Sequence, residues 1–121
     1  MLTVHHLRIS QSERIVWLLE ELGEEQAIEY DLKLYNRDPE TRLAPPELKA
    51  IHPMEIAPVI EDGDLVLGES GAIMDYIVGK YAPDTELVPG PDNPDFARHL
   101  YWYHFANSTL MTNGMIMIAV N

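Results

Sequence analysis

Cysteine is absent from the 121 residues, and that single absence removes disulfide scaffolds, CxxC redox chemistry and thiolate zinc sites together. Basic residues are scarce: 8 Lys and Arg stand against 20 Asp and Glu, a formal charge of -12. Such a field repels phosphate backbones and anionic headgroups, so neither nucleic acid nor a membrane surface is expected as a partner. No apolar run reaches the roughly 20 residues of a membrane span, and "MLTVHHLRISQSER" lacks the basic stretch and apolar core of a secretory leader. The expectation is a soluble, cytoplasmic protein. The composition, 46% hydrophobic and 23% charged, suits one core and a small additional element.

Along the chain, "LTVHHL" (2–7) is short and β-branched enough for a buried strand. In "SQSERIVWLLEELG" the apolar residues 15, 18, 19 and 22 share one helical face, and Gly23 is placed to end the helix. "AIEYDLKLY" alternates, with Ile28, Tyr30, Leu32 and Leu34 on one side, which predicts a half-buried strand. After a polar loop (36–46), "PELKAI" makes one or two helical turns that end at His52, before Pro53. "APVIE" and "LVLGE" are strands joined through Asp62-Gly63, the favoured chemistry of a tight hairpin. "SGAIMDYIVGKY" follows as a helix by the spacing of Ile73, Tyr76 and Ile77, with Ser70 as its N-cap. The order is βαβαββα, an α/β class. Residues 82–94 are crowded with Pro, Gly and Asp, as a linker is; Asn93-Pro94-Asp95 then opens a helix that runs almost to the end.

A βαβ unit followed by a hairpin and a helix, with Ala57-Pro58 opening the hairpin and Glu69-Ser70 closing it, resembles the thioredoxin-like domain of the glutathione transferases. "SxSxR" after the first strand, "APVI", and "LxxSxAIxxYI" after the hairpin carry the resemblance in combination. It implies a thioredoxin-like glutathione-binding domain over residues 1–82, a linker over 83–92, and over 93–121 the first helix of an all-α C-terminal domain. Several helices normally make up that second domain, so the resemblance implies a chain truncated within it. It also implies a cytoplasmic homodimer of the serine type acting in detoxification, with glutathione as co-substrate, an apolar electrophile as partner and no metal.

The family's cis proline falls at Pro58, where it turns the N–H and C=O of Ala57 toward the cysteinyl part of glutathione. Glu69 and Ser70 match positions that hold the γ-glutamyl end: a carboxylate accepts from the α-ammonium, while a hydroxyl and helix amides take the α-carboxylate. By residue type alone, Ser70 is also an N-cap and Glu69 a first-turn acid. Ser10 aligns with the hydroxyl that activates the thiol in serine-type classes, and Ser12 is the rival donor. Backbone amides holding the thiolate are the third alternative. Ser10-Gln11-Ser12-Glu13 is equally a capping box, which needs no catalytic role.

The chain departs from the family pattern at Glu55 and Ile56, where relatives often carry Lys, Gln or His and a small residue. A glutamate there meets the glycyl carboxylate with the wrong sign unless it faces solvent. Arg14, Lys33, Arg37, Arg42 and Lys49 are candidate replacements, and Gly71 removes an arginine that some classes use. His5 and His6 point to opposite faces of a strand, and His99 and His104 miss the i, i+4 ligand spacing, so no metal site is expected. Tyr101, Trp102, Tyr103, Phe105 and Met111 fit core or interface, and the resemblance sets their helix beside the electrophile cleft and the dimer contact. Three functions stay open: an active transferase, a glutathione-binding or protein-interaction module without turnover, and an inactive fragment of a longer transferase.

Overall fold

Strand β1 (Leu2–Leu7) pairs on both sides, parallel with β2 (Tyr30–Tyr35) and antiparallel with β3 (Val59–Asp62). β3 turns back into β4 (Leu65–Leu67), which completes a mixed sheet of order β2-β1-β3-β4. Helix α1 (Glu13–Gln26) makes the parallel crossover, α2 (Glu47–Ile51) leads to the hairpin and α3 (Ser70–Tyr81) leaves it. This is the expected thioredoxin-like α/β fold. The computed structural model describes residues 1–121, which divide into two units, Met1–Pro83 and Asp84–Asn121.

The core of the first unit follows from strand parity. Leu2 and Val4, two apart on β1, are fully buried with Ile15, Leu19 and Leu22 of α1, Ile60 of β3, and Ile73 and Ile77 of α3. Burial of each large aliphatic side chain contributes roughly 1.5–3 kcal/mol, so this cluster is the main stabilising element. On the opposite parity, His5 is fully buried and its Nδ1 lies 2.8 Å from the Tyr35 hydroxyl. Its Nε2 is 2.6 Å from a Glu61 carboxylate oxygen, which can only accept when ionised, so Nε2 carries a proton. Burial, then the charges of Glu61 and Glu47, push the Tyr35 phenol up from its ordinary value.

Four local expectations are corrected. The first helix continues past Gly23 to Gln26 and ends at Ala27, which is left-handed (φ 51°) and returns its N–H to the Gly23 carbonyl. β2 is an edge strand, and Leu32 and Leu34 stay nearly half exposed because β1 covers one side of it. Ser70 is the first residue of α3 rather than its cap, since Glu69 occupies the cap position without a side-chain bond. Asn93-Pro94-Asp95 forms a turn in which the Asn93 side chain accepts the Asp95 N–H at 2.8 Å, and the helix starts two residues beyond the proline.

In the second unit, α4 (Phe96–His104) runs into a π-helical segment, Phe105–Leu110, and α5 (Met111–Val120). The Ser108 hydroxyl donates to the His104 carbonyl at 2.7 Å, a competing bond that loosens the helical ladder there. Tyr101, Trp102 and Phe105 pack on one another with ring centroids 4.9–6.0 Å apart. No helix is long and apolar enough to cross a membrane.

The hairpin is tied to α3 by one carboxylate. Asp62 accepts from Lys80 Nζ at 2.8 Å and from the hydroxyls of Tyr76 and Tyr81 at 2.7 Å each. The Lys80 bond first, then Tyr81 and Tyr76, hold the Asp62 carboxyl well below the usual carboxylate range. A depressed folded-state pKa stabilises above the unfolded value of about 3.9, and that contribution is lost as pH falls below it. Asp62→Asn should therefore destabilise by roughly 1.5–3 kcal/mol at pH 7. Urea titrations of both proteins should show the gap closing as the pH is taken below about 4.

Candidate functional site

The loop from β1 to α1 is held by two hydroxyls of different character. Ser12 is fully buried, accepts the Leu7 N–H at 3.0 Å, and lies 3.1 Å from the Leu7 carbonyl. Ser10 is half-buried; its Oγ accepts the Ser12 N–H at 3.1 Å and donates to the Leu7 carbonyl at 2.7 Å. The two Oγ atoms are 2.6 Å apart. Neither side chain caps α1, so the capping box does not form. Arg37 pins the same loop from outside, donating to the carbonyls of Arg8, Ile9 and Arg42 at 3.2, 2.8 and 2.9 Å.

Register places the other candidates at the same end of the sheet. His5 opposes Val59 and Ile60 opposes Leu67, so Pro58 enters beside the end of β1 and Glu69 leaves beside it. The Ala57-Pro58 bond is cis, as expected, and Ala57 makes no backbone hydrogen bond within the chain. Its N–H and C=O are thus left without a backbone partner at the mouth of β3. Glu69 has φ 67° and ψ 114°, a conformation that non-glycine residues rarely hold. Ser70 is buried at the first turn of α3, and its hydroxyl reaches Gln11 of the β1–α1 loop at 3.5 Å.

Two of the basic candidates are engaged elsewhere. Arg37 is spent on backbone carbonyls. Lys49 forms an exposed ion pair with Glu55 at 2.8 Å, and that bond raises the Lys49 pKa. Glu55 therefore faces solvent with a cation beside it. Sequence reasoning missed His6, whose Nδ1 lies 2.6 Å from Ser12 Oγ. The available signal was its parity with Leu2 and Val4.

An unpaired backbone at the mouth of β3, a strained acid, a buried helix-start serine and a hydroxyl pair thus meet at one end of this sheet. The model of the glutathione S-transferase N-terminal domain matches residues 1–79. The chain belongs to the glutathione S-transferase family. Glutathione S-transferase 3 of Schizosaccharomyces pombe is 35% identical over 114 residues, covering 92% of this chain and 43% of that protein. Glutathione S-transferase 1 of Saccharomyces cerevisiae is 35% identical over 111 residues, covering 87% and 44%. A crystal structure of a glutathione S-transferase from Actinobacillus pleuropneumoniae superposes with a TM-score of 0.86 at 39% identity, covering 98% of this chain and 54% of that one. The chain thus spans under half the length of the two curated relatives.

The geometry ranks the two serines by structural weight. Ser12→Ala strands the buried Leu7 N–H and should cost roughly 1–3 kcal/mol of stability. Ser10→Ala should cost less, because its hydroxyl is half-buried and the Leu7 carbonyl keeps a second nearby donor in Ser12. Paired urea denaturation curves check the order.

Proposed function

We propose that this transferase-family chain binds glutathione at the β1–α1, Ala57-Pro58 and Glu69-Ser70 corner and promotes attack of its thiolate on an apolar electrophile. The open edge at Ala57 carries this reading: an unpaired N–H and C=O at the mouth of a strand suit an extended peptide, which pairs by strand addition. The cysteinyl unit fills that edge. Ser70 and the first amides of α3 then take the γ-glutamyl carboxylate, and Glu69 takes the ammonium. A theta-class relative from Xanthomonas axonopodis pv. citri, crystallised with glutathione bound, superposes with a TM-score of 0.64 at 28% identity, covering 89% of this chain.

Ser10 is the hydroxyl with access to a thiolate, since Ser12 is buried. A hydrogen bond to a charged sulfur contributes roughly 1.5–3 kcal/mol, about one to two pKa units. In the reaction the sulfur–carbon bond forms as the electrophile's leaving group departs. Detoxification in the cytoplasm is the matching role. Residues 83–92 are read as a linker and 93–121 as the start of the helical domain. A homodimer is inferred from Met115, Ile116, Met117, Ile118 and Val120, all more than half exposed on α5. Sedimentation of the 121-residue chain as a monomer would remove that inference.

Calorimetric titration with glutathione and conjugation of a chromogenic aryl halide test the function. Saturable binding with turnover supports it, binding alone leaves a module without catalysis, and no binding defeats the reading. Ser10→Ala should lower conjugation at neutral pH by roughly 10- to 100-fold. Glu69→Gly should separate stability from function. Glycine adopts φ > 0 without steric cost, so melting should show stability unchanged or raised by roughly 0–2 kcal/mol while glutathione affinity falls. A variant that loses both would make Glu69 a structural residue only.

A further inference from the structure

His6 is left without a role in the site, yet its Nδ1 is in contact with the hydroxyl pair. Proton counting decides what it does there. A hydroxyl has one proton and two lone pairs. On Ser12 one lone pair accepts the Leu7 N–H; the remaining lone pair and the proton have His6 Nδ1 and Ser10 Oγ, each 2.6 Å away, with the Leu7 carbonyl at 3.1 Å as a longer alternative for the proton. On Ser10 one lone pair accepts the Ser12 N–H, and the proton has the Leu7 carbonyl at 2.7 Å as its alternative to Ser12.

A proton must sit in each 2.6 Å contact, and Ser12 has no third lone pair with which to accept both while donating to the Leu7 carbonyl, so two directions of the chain remain. If Nδ1 is bare, Ser12 donates to it and Ser10 donates to Ser12. Two bonds result, and the Ser10 proton is consumed inward. If Nδ1 carries the proton, it donates to Ser12, Ser12 donates to Ser10, and Ser10 is free to donate to the Leu7 carbonyl. That direction makes three bonds where the other makes two, because Nδ1 brings a proton and frees the Ser10 hydroxyl for the Leu7 carbonyl.

We propose that His6 is a positioning residue whose Nδ1–H sets the hydrogen-bond chain His6–Ser12–Ser10 to point outward, so that Ser10 presents its proton to the ligand sulfur. The inference rests on the glutathione reading. On binding, the Ser10 proton turns from the Leu7 carbonyl to the thiolate, and Ser12 fills the lone pair behind it. No proton crosses the chain; the thiol proton leaves to solvent. With the opposite direction, a thiolate would face only lone pairs on Ser10, and the hydroxyl would work against ionisation rather than for it.

The experiment uses the 121-residue chain. Imidazole nitrogen NMR of the wild type should show the His6 proton on Nδ1; a proton on Nε2 with bare Nδ1 overturns the proposal without any variant. The thiolate absorbance of bound glutathione is then followed against pH in the wild type, His6→Phe and His6→Asn, the last keeping an amide N–H near the Nδ1 position. His6→Phe should lower the thiolate fraction at neutral pH roughly tenfold, one pKa unit, and His6→Asn should restore most of it. A merely structural role would weaken both variants' stability or affinity and leave the thiol titration in place, which overturns the relay alone. Absence of saturable glutathione binding in the wild type defeats the glutathione reading, and the proposal falls with it.

Discussion

The bond from the Leu7 N–H to Ser12 Oγ ties the end of the central strand to the start of α1, and the candidate site depends on it. A strand that ends must place its next backbone donor somewhere, because a buried unpaired N–H costs about as much as a lost hydrogen bond. Ser12 takes that donor from a fully buried position. Its remaining valences then fix Ser10 on one side and touch His6 on the other. Of the two neighbouring hydroxyls, the buried one anchors the loop and the half-buried one stays accessible.

Around that anchor the backbone leaves regular structure repeatedly. Ile9 has φ 56°, Glu55 φ 54° and Glu69 φ 67°, each within a few residues of the corner where β1 ends and the hairpin opens and closes. Conformations of this kind persist only where the surroundings over-determine them. Here the sheet supplies that constraint: β1 is paired on both sides and its core face is fully buried. The Asp62 junction holds the far end of the hairpin to α3, so the mouth of the site is carried on a rigid frame.

Much of this was legible in residue order. Period-two and period-3.6 patterns located the strand at 2–7, the hairpin around Asp62-Gly63 and the helix from residue 70. Terminating signals were less dependable: Gly23 lies inside α1 because the left-handed position fell at Ala27, where the helix had one more turn to complete. β2 showed the alternation of a half-buried strand although its outer edge is uncovered, since the pattern records side-chain parity and not what lies beyond the sheet. The pairing of Ser12 with Leu7 was not legible, because a loop hydroxyl's burial depends on which strand donor it meets. His6 falls under the same difficulty: the spacing of histidines speaks only to metal ligation, whereas strand parity puts it on the face of β1 shared with Leu2 and Val4, next to Ser12.

Charge sets the remaining problem for such a site. A chain of net charge -12 repels any anionic ligand at long range, although salt confines that repulsion to about 8 Å at physiological ionic strength. Attraction must therefore be local. Two of the five basic candidates are already committed, Arg37 to carbonyls and Lys49 to Glu55. The N-terminus of α3, a helix of 12 residues, offers amides whose partial positive charge does not depend on any basic residue. The starts of α1, after the loop that carries Ser10, and of α3, at Ser70, bring helix amides to this corner without drawing on the chain's few cations, so at this end of the sheet charge can be met by backbone dipoles and small hydroxyls.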